Sequence, residues 1–211
     1  MGDLIYLDAR RKPIFERRKE ARPTFFFDLA CPFSYLAAER IERTLGDVEW
    51  VPVAARWPVR EAEIAALRER AELRAGELRL PLVWPDRFPV AVPRALRAAA
   101  FASELGAGAR FALAACRLAF CGGFDLEDPE TIADAADAAG VSVDECLAAA
   151  GDPSEDEPLA IAAEELRARG AETVPVIVAG GRLFEGEARL LAASSLLRTR
   201  AATGGPLAPA G

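Results

Sequence analysis

The alternation of apolar and polar positions divides this chain into two β regions that flank a long helical block. Residues 24–29 and 48–53 are short apolar runs, rich in the residue types that favour β-strands. Between them, apolar residues recur at steps of four, which predicts a helix that ends at Gly46. This order predicts a right-handed β-α-β unit with two parallel strands.

Helical periodicity continues through residues 61–151. Within this block, Asp128 followed by Pro129 is a helix-start pattern, and so is Ser142 with Glu145 three residues later. The block therefore predicts several helices in succession, with no strand among them.

The C-terminal part of the chain predicts a helix and then a β-hairpin. We expect an acidic loop at residues 152–158, before a helix that ends at Arg169. Residues 174–178 are an apolar strand, and Gly180-Gly181 is typical of a two-residue turn to a return strand. With a final helix, the full order predicts an α/β protein with a thioredoxin-like fold, a mixed sheet and a helical-domain insertion.

These boundaries predict a domain organisation. We expect a charged N-terminal arm at residues 1–23, and a discontinuous thioredoxin-like domain at residues 24–58 and 159–200. Residues 59–158 would form the inserted helical domain, and residues 201–211, rich in Gly, Pro and Ala, a disordered tail. The arm is expected to dock on this or another subunit, so a homodimer is among the expectations.

Composition and charge exclude several classes of function. A formal net charge of -7 argues against a nucleic-acid surface, and no stretch reaches the ~18 apolar residues of a membrane helix. Charged residues near the N-terminus argue against a signal peptide. We therefore expect a cytoplasmic protein in which the four cysteines stay reduced. The chain contains no histidine, which excludes Ser-His-Asp and Cys-His catalysis and imidazole zinc sites, and we expect no bound metal.

The candidate chemistry lies at Cys31, where the first strand meets the first helix. Cys31 is expected at the N-cap and Pro32 at the first helical position, so free backbone N–H groups would face the sulfur. The helix dipole favours negative charge there, and the Ser34 hydroxyl is placed to donate to the thiolate. We therefore expect a lowered thiol pKa. The alternative is that Cys31 is a small buried residue and Ser34 an ordinary residue of the first turn.

Pro175 is the second candidate site residue. A proline at the start of an apolar strand loses a ladder hydrogen bond, and a cis Val174-Pro175 bond in a fixed turn would explain its presence. A trans proline at a strand entrance is the alternative.

The motif Cys31-Pro32-Phe33-Ser34, the helical insertion and the stretches "TVPVIV" and "GGRLFEGEARL" together resemble the DsbA-like branch of the thioredoxin superfamily. Within this branch, "FFFDLACPFSYLA" and "WPDRFPVAVPRALRAA" most resemble 2-hydroxychromene-2-carboxylate isomerases and kappa-class glutathione transferases. The resemblance covers about residues 24–200.

The resemblance implies catalytic roles for Cys31, Ser34 and Pro175. Pro175 would be cis and would face Cys31, and the Val174 backbone would pair with a bound thiol or peptide. Ser34 stands where dithiol members carry a resolving cysteine, whereas Cys31 matches those dithiol enzymes rather than the isomerases, which typically have serine. Pro32 and Phe33 would complete the substrate- or thiol-binding surface.

Two positions depart from these relatives. Ala91 replaces the asparagine of their "FPVN" stretch, and Ala188 replaces the acid of their "G-x-D-R" stretch. Glu187 would substitute for that acid in thiol binding; the alternative is an ordinary carboxylate in the first turn of a helix.

We therefore expect a thiol–disulfide oxidoreductase with one active-site thiol, acting on a small-molecule or protein thiol or disulfide. No cofactor is expected to stay bound, although glutathione or another low-molecular-weight thiol is the expected co-substrate. One alternative is a thiol-dependent isomerase or transferase for a small aromatic compound, and another is a catalytically degenerate binding module. The remaining cysteines are expected in the core: Cys116, Cys121 and Cys146. Candidate lining residues for the aromatic compound are Phe33, Trp57, Trp84 and Phe88.

Overall fold

A computed structural model describes residues 22–55 and 60–203 of the chain. Residues 1–21 of the predicted arm, Trp57 and residues 204–211 lie outside the described residues, so the expectations that concern them stay predictions. In the described part the fold is a four-stranded sheet with eight α-helices.

The β-α-β unit forms as the sequence predicts. Strand β1 (Thr24–Phe27) leads into helix α1 (Pro32–Leu45), and strand β2 (Glu49–Pro52) follows. β1 and β2 pair in parallel, with Phe25 opposite Trp50. Gly46 ends α1 with a positive φ angle, which glycine adopts without steric cost.

The C-terminal hairpin completes the sheet. Strands β3 (Val176–Ala179) and β4 (Arg182–Glu185) are antiparallel and are joined by Gly180 and Gly181, both at positive φ. β3 also pairs antiparallel with β1, which gives the mixed order β2-β1-β3-β4. β3 begins two residues later than the predicted strand, because Pro175 has no N–H to donate to a ladder.

The other helices lie close to their predicted positions. The acidic segment is more ordered than expected, because the Asp152 side chain caps a short 3-10 turn at Pro153–Glu155. The final helix reaches Thr203, so residues 201–203, assigned to the tail from sequence, are helical. The observed bounds are α2 Glu61–Leu78, α3 Pro93–Glu104, α4 Gly108–Gly122, α5 Pro129–Ala139, α6 Val143–Ala150, α7 Asp156–Ala168 and α8 Leu190–Thr203.

Both faces of the sheet are covered, since successive side chains of a strand point to opposite faces. Phe25 and Phe27 belong to the larger core cluster, which includes residues of α1, the inserted helices and α8. Phe26 belongs to a second cluster with Val176 and residues of α7. The turn after β1 is therefore held from both sides, and this turn carries the candidate thiol.

Candidate active site

Asp28 fixes the turn between β1 and α1. Its carboxylate is 2% exposed and accepts hydrogen bonds from the backbone N–H groups of Ala30 and Ala55, each at 2.8 Å. Its backbone carbonyl accepts the N–H of Cys31 at 3.0 Å. No role for Asp28 is predicted from the sequence above, although an acidic residue directly after three phenylalanines is a signal for one.

Cys31 occupies the N-cap of α1, with Pro32 in the first helical turn, as the sequence predicts. Its backbone is extended there, and its carbonyl accepts the N–H of Tyr35 at 3.1 Å, which begins the helical hydrogen bonding. The residue is only 3% exposed. The thiol therefore stands at a helix start, but largely out of contact with water.

The segment before β3 lies against this thiol. Cys31 Sγ donates a hydrogen bond to the backbone carbonyl of Val174 at 3.4 Å, and the Val174–Pro175 peptide bond is cis. The Pro175 carbonyl accepts the N–H of Gly186 at 2.8 Å, which ties the segment to the end of β4. The structure thus brings Cys31, Val174 and Pro175 together from opposite ends of the sequence.

Burial is the largest influence on the Cys31 thiol, and it raises the pKa to about 11. The neighbouring Asp28 carboxylate contributes to this rise. This result is opposite to the lowered pKa expected from the helix start. The reason is one of magnitude: a helix dipole contributes about 0.3–2 kcal/mol, whereas full burial of an ionisable group can shift its pKa by up to about 3–5.

Ser34 is fully buried beside the Cys31 thiol. Its hydrogen bonds lower the Cys31 pKa and so oppose the effect of the burial of Cys31. Its Oγ accepts the backbone N–H of Asp28 at 3.3 Å, so the hydroxyl proton remains available to the Cys31 sulfur. Hydrogen bonds from the Ser34 side chain and backbone favour the Cys31 thiolate, and they lower the thiol pKa by less than burial raises it.

Cys31 opens onto a cavity of about 520 Å³ between α2, α7 and the turns of the sheet domain. Of the predicted site residues, Cys31, Phe33, Val174 and Glu187 line this cavity. Pro32, Ser34 and Pro175 are buried next to lining residues. The apolar part of the wall consists of Val53, Ala54, Ala55, Leu67, Leu73, Ala163, Leu166 and Ala171.

Glu187 is 3% exposed, and its carboxylate faces two arginines. Oε1 accepts from Arg40 and from Arg74 Nη2 at 3.0 Å, and Oε2 accepts from Arg74 Nε at 2.7 Å. The three side chains come from α1, α2 and the turn after β4. Both carboxylate oxygens are thus engaged within the protein, and Glu187 holds Arg74 against the cavity.

The aromatic candidates do not form one surface. Phe33 lines the 520 Å³ cavity, whereas Phe88 lines a second cavity of about 270 Å³ that Leu29 and Ala30 also line. Trp84 packs on Phe88 with ring centroids 4.5 Å apart, and its indole N–H donates to Glu72 at 2.7 Å.

The other three cysteines are not lining residues of the Cys31 cavity, although Cys116 is near enough to Cys31 for the Cys31 charge to raise the pKa of the Cys116 thiol. Cys116 and Cys146 are buried, Cys121 is half-buried, and all four thiols are free. Burial raises the pKa of the Cys146 thiol to about 11 and that of Cys116 further. Cys121 Sγ lies 3.3 Å from the Tyr35 hydroxyl. None of the three lines either cavity in the described part of the chain.

Across residues 22–55 and 60–203, the structure holds no group of three or more side chains suited to a metal ion. In the same residues, every helix is too short or too polar to cross a bilayer.

The fold and this site define a thioredoxin-like protein with a helical insertion. The family model for DSBA-like thioredoxin domains matches residues 24–198, and the chain belongs to this family. No curated protein matches the sequence significantly.

Solved structures show the same fold. A 2-hydroxychromene-2-carboxylate isomerase aligns with a TM-score of 0.71 and 16% identity over 90% of this chain and 100% of its own. A probable DsbA oxidoreductase from Streptomyces coelicolor aligns with a TM-score of 0.70 and 21% identity over 90% of this chain and 93% of its own. The cytosolic disulfide reductase DsbM from Pseudomonas aeruginosa, solved with GSH, aligns with a TM-score of 0.65 and 18% identity over 86% of this chain and 100% of its own.

The raised pKa of Cys31 predicts how its reactivity depends on pH. A thiolate is the reactive form, so the rate of Cys31 alkylation by iodoacetamide should rise about tenfold per pH unit and approach a plateau only near pH 11. Peptide mapping by mass spectrometry measures this rate at each cysteine. A plateau at or below pH 8 would contradict the buried thiol described here.

Proposed function

We propose that this protein is a thiol–disulfide oxidoreductase with Cys31 as its single reactive thiol and a low-molecular-weight thiol, of the class of glutathione, as co-substrate. The observation that supports this most is the position of Cys31 Sγ. It lies on the wall of a 520 Å³ cavity and 3.4 Å from the carbonyl of Val174, next to Pro175. A cavity of this size accommodates a small ligand.

The first step is attack on a disulfide. Cys31 loses its proton, and the thiolate attacks one sulfur of a substrate disulfide RS–SR′. The Cys31–SR bond forms as the S–S bond breaks, and the leaving R′S⁻ takes up the proton. Phe33 and Pro32 shape the surface beside the sulfur, and Ser34 stabilises the thiolate with its hydroxyl.

The second step needs a thiol from outside the motif. Ser34 provides a hydroxyl where a dithiol enzyme has its resolving cysteine, so Cys31–SR cannot be released within Cys31-Pro32-Phe33-Ser34. A low-molecular-weight thiol R″SH attacks the mixed disulfide, forms R″S–SR and returns the electron pair to Cys31, which regains its proton. Electrons balance, because one disulfide is consumed and one is formed.

Substrate binding also has to release the thiol proton. With a pKa of about 11, about one Cys31 in ten thousand is ionised at pH 7. The hydrogen bond from Cys31 to the Val174 carbonyl stabilises the protonated form. A substrate N–H that donates to this carbonyl would remove that bond, and the Val174 backbone thus links substrate binding to activation of the thiol.

The test is adduct formation with a small disulfide. Incubation with bis(2-hydroxyethyl) disulfide should produce one mixed disulfide, which intact mass and peptide mapping assign to Cys31. Cys31→Ser should form none, because the nucleophile is lost. An adduct that persists in Cys31→Ser, or that maps to another cysteine, would contradict the assignment.

Changing Ser34 to cysteine should change the mechanism. Ser34→Cys places a second thiol in the first turn of α1, so the variant should release its own mixed disulfide by forming a disulfide between Cys31 and the introduced thiol. We expect catalysed reduction of insulin by dithiothreitol to rise by at least about tenfold over the wild-type chain. Ser34→Ala is the matched control and should not show this gain. A variant no faster than wild type would contradict the proposed reason for the outside thiol.

A second candidate function is thiol-dependent isomerisation or transfer on a small aromatic compound. The observation that favours it is the pair of cavities lined by residues of the same turn, one by Cys31 and one by Ala30 together with Phe88. Turnover of such a compound that requires an added thiol and survives Cys31→Ser would support this function over the first.

A further inference from the structure

Helix α2 forms a charged wall of the Cys31 cavity. Arg70, Arg74 and Glu77 line it at spacings of four and three, so they lie on one face of the helix. Leu67 and Leu73 line the same wall and supply its apolar part. Two guanidinium groups thus stand one helical turn apart on the same wall, in different surroundings.

Arg74 is committed within the protein. Its Nε and Nη2 donate to Glu187, and its Nη1 donates to Glu77 at 2.7 Å. These carboxylates raise the pKa of the guanidinium. Every nitrogen of Arg74 therefore has an acidic partner, and the group offers little to an anionic ligand.

Arg70 differs from Arg74 in its exposure and in its hydrogen-bond partners. It is exposed, and its Nε donates to the carbonyl of Ala66 in its own helix at 3.3 Å. Its guanidinium lies over the Phe33 ring, with Cζ 6.0 Å from the ring centroid. In the described ranges it has no carboxylate partner, and both terminal nitrogens remain for a ligand. Phe33 is two residues after Cys31 in the sequence. The Arg70 guanidinium therefore lies over a side chain of the same turn that carries the reactive thiol.

The other charged residues that line the cavity are either paired or acidic. Arg167, on α7, pairs with Glu164 at 2.9 Å. Glu172 is exposed on the loop after α7, across the cavity from α2. An anionic group in the cavity is therefore attracted toward Arg70 and repelled from Glu172.

We propose that Arg70 is a specificity-determining residue that binds the carboxylate of a small disulfide or thiol whose sulfur reaches Cys31. This inference rests on the proposed function of Cys31. A planar guanidinium with two free terminal nitrogens matches a carboxylate with two parallel hydrogen bonds. The Phe33 ring, whose centroid is 6.0 Å from Cζ, adds a cation–π contact at the outer end of its range. The substrate class is thus a carboxylate-bearing thiol or disulfide, and Glu187 keeps Arg74 out of this role.

Three small disulfides of similar size test the inference. They are 3,3′-dithiodipropionate, which is anionic, bis(2-hydroxyethyl) disulfide, which is neutral, and cystamine, which is cationic. The rate constant for the mixed disulfide at Cys31 should be about tenfold higher for the anion than for the neutral compound, equivalent to about 1.4 kcal/mol. Cystamine should be the slowest of the three. The preference should weaken at high salt, since Arg70 is exposed.

Variants separate the local effect of Arg70 from net charge. Arg70→Ala should abolish the preference for the anion, so that the ratio of the anionic to the neutral rate constant falls to about one, and Arg70→Lys should retain part of the preference. Arg43→Ala, at an exposed position on the last turn of α1, removes the same charge outside the cavity and should keep the preference.

The outcomes distinguish this inference from the proposed function. If no disulfide modifies Cys31, the proposed function fails. If all three modify Cys31 at similar rates, or if Arg70→Ala keeps the preference, the assignment of Arg70 is wrong while the function of Cys31 stands.

Discussion

The pairing of β1 with β3 is the constraint on which the rest of the site depends. Phe25 pairs with Ile177 and Phe26 with Val176, so the end of β1 meets the start of β3. Cys31 and Val174 are 143 residues apart in sequence, yet their sulfur and carbonyl oxygen are in contact. The whole helical insertion lies between them in the chain. The two ends of the site are therefore joined by backbone ladder bonds in a buried sheet, which is a rigid support for a reactive group.

Interactions of two opposite kinds act on the ionisation of the Cys31 sulfur. Burial and Asp28 disfavour the thiolate, while the helix start and Ser34 favour it, and burial wins. The resting protein thus keeps Cys31 protonated and donating to Val174. A buried, protonated thiol of this kind reacts slowly with disulfides that do not bind in the cavity. Under the proposed function, substrate binding in the cavity activates the thiol, and the proposed role of Arg70 makes the charged wall of α2 part of substrate selection.

Local patterns predicted the fold and part of the site. Strand and helix periodicity, the Gly180-Gly181 turn and the N-cap position of Cys31 depend on residues near in sequence, and the sequence shows them directly. The sign of the Cys31 pKa shift depends on burial by distant segments, so the lowered pKa predicted from the helix start was wrong.

The partners of Asp28 and Glu187 were also beyond local patterns. Glu187 meets Arg74 across 113 residues, and Asp28 meets Ala55 across 27. Such pairings follow from tertiary packing. A polar residue that the fold buries is a better guide to them than periodicity, because a buried charge requires partners.

The most direct test of the account is the release of an isolated Cys31 mixed disulfide. The adduct with 2-mercaptoethanol is purified free of thiol, and its loss is followed by intact mass at increasing concentrations of added 2-mercaptoethanol. The account predicts a release rate proportional to the thiol concentration, with a line through the origin. A finite rate at zero added thiol, with a new disulfide to Cys116, Cys121 or Cys146, would contradict it.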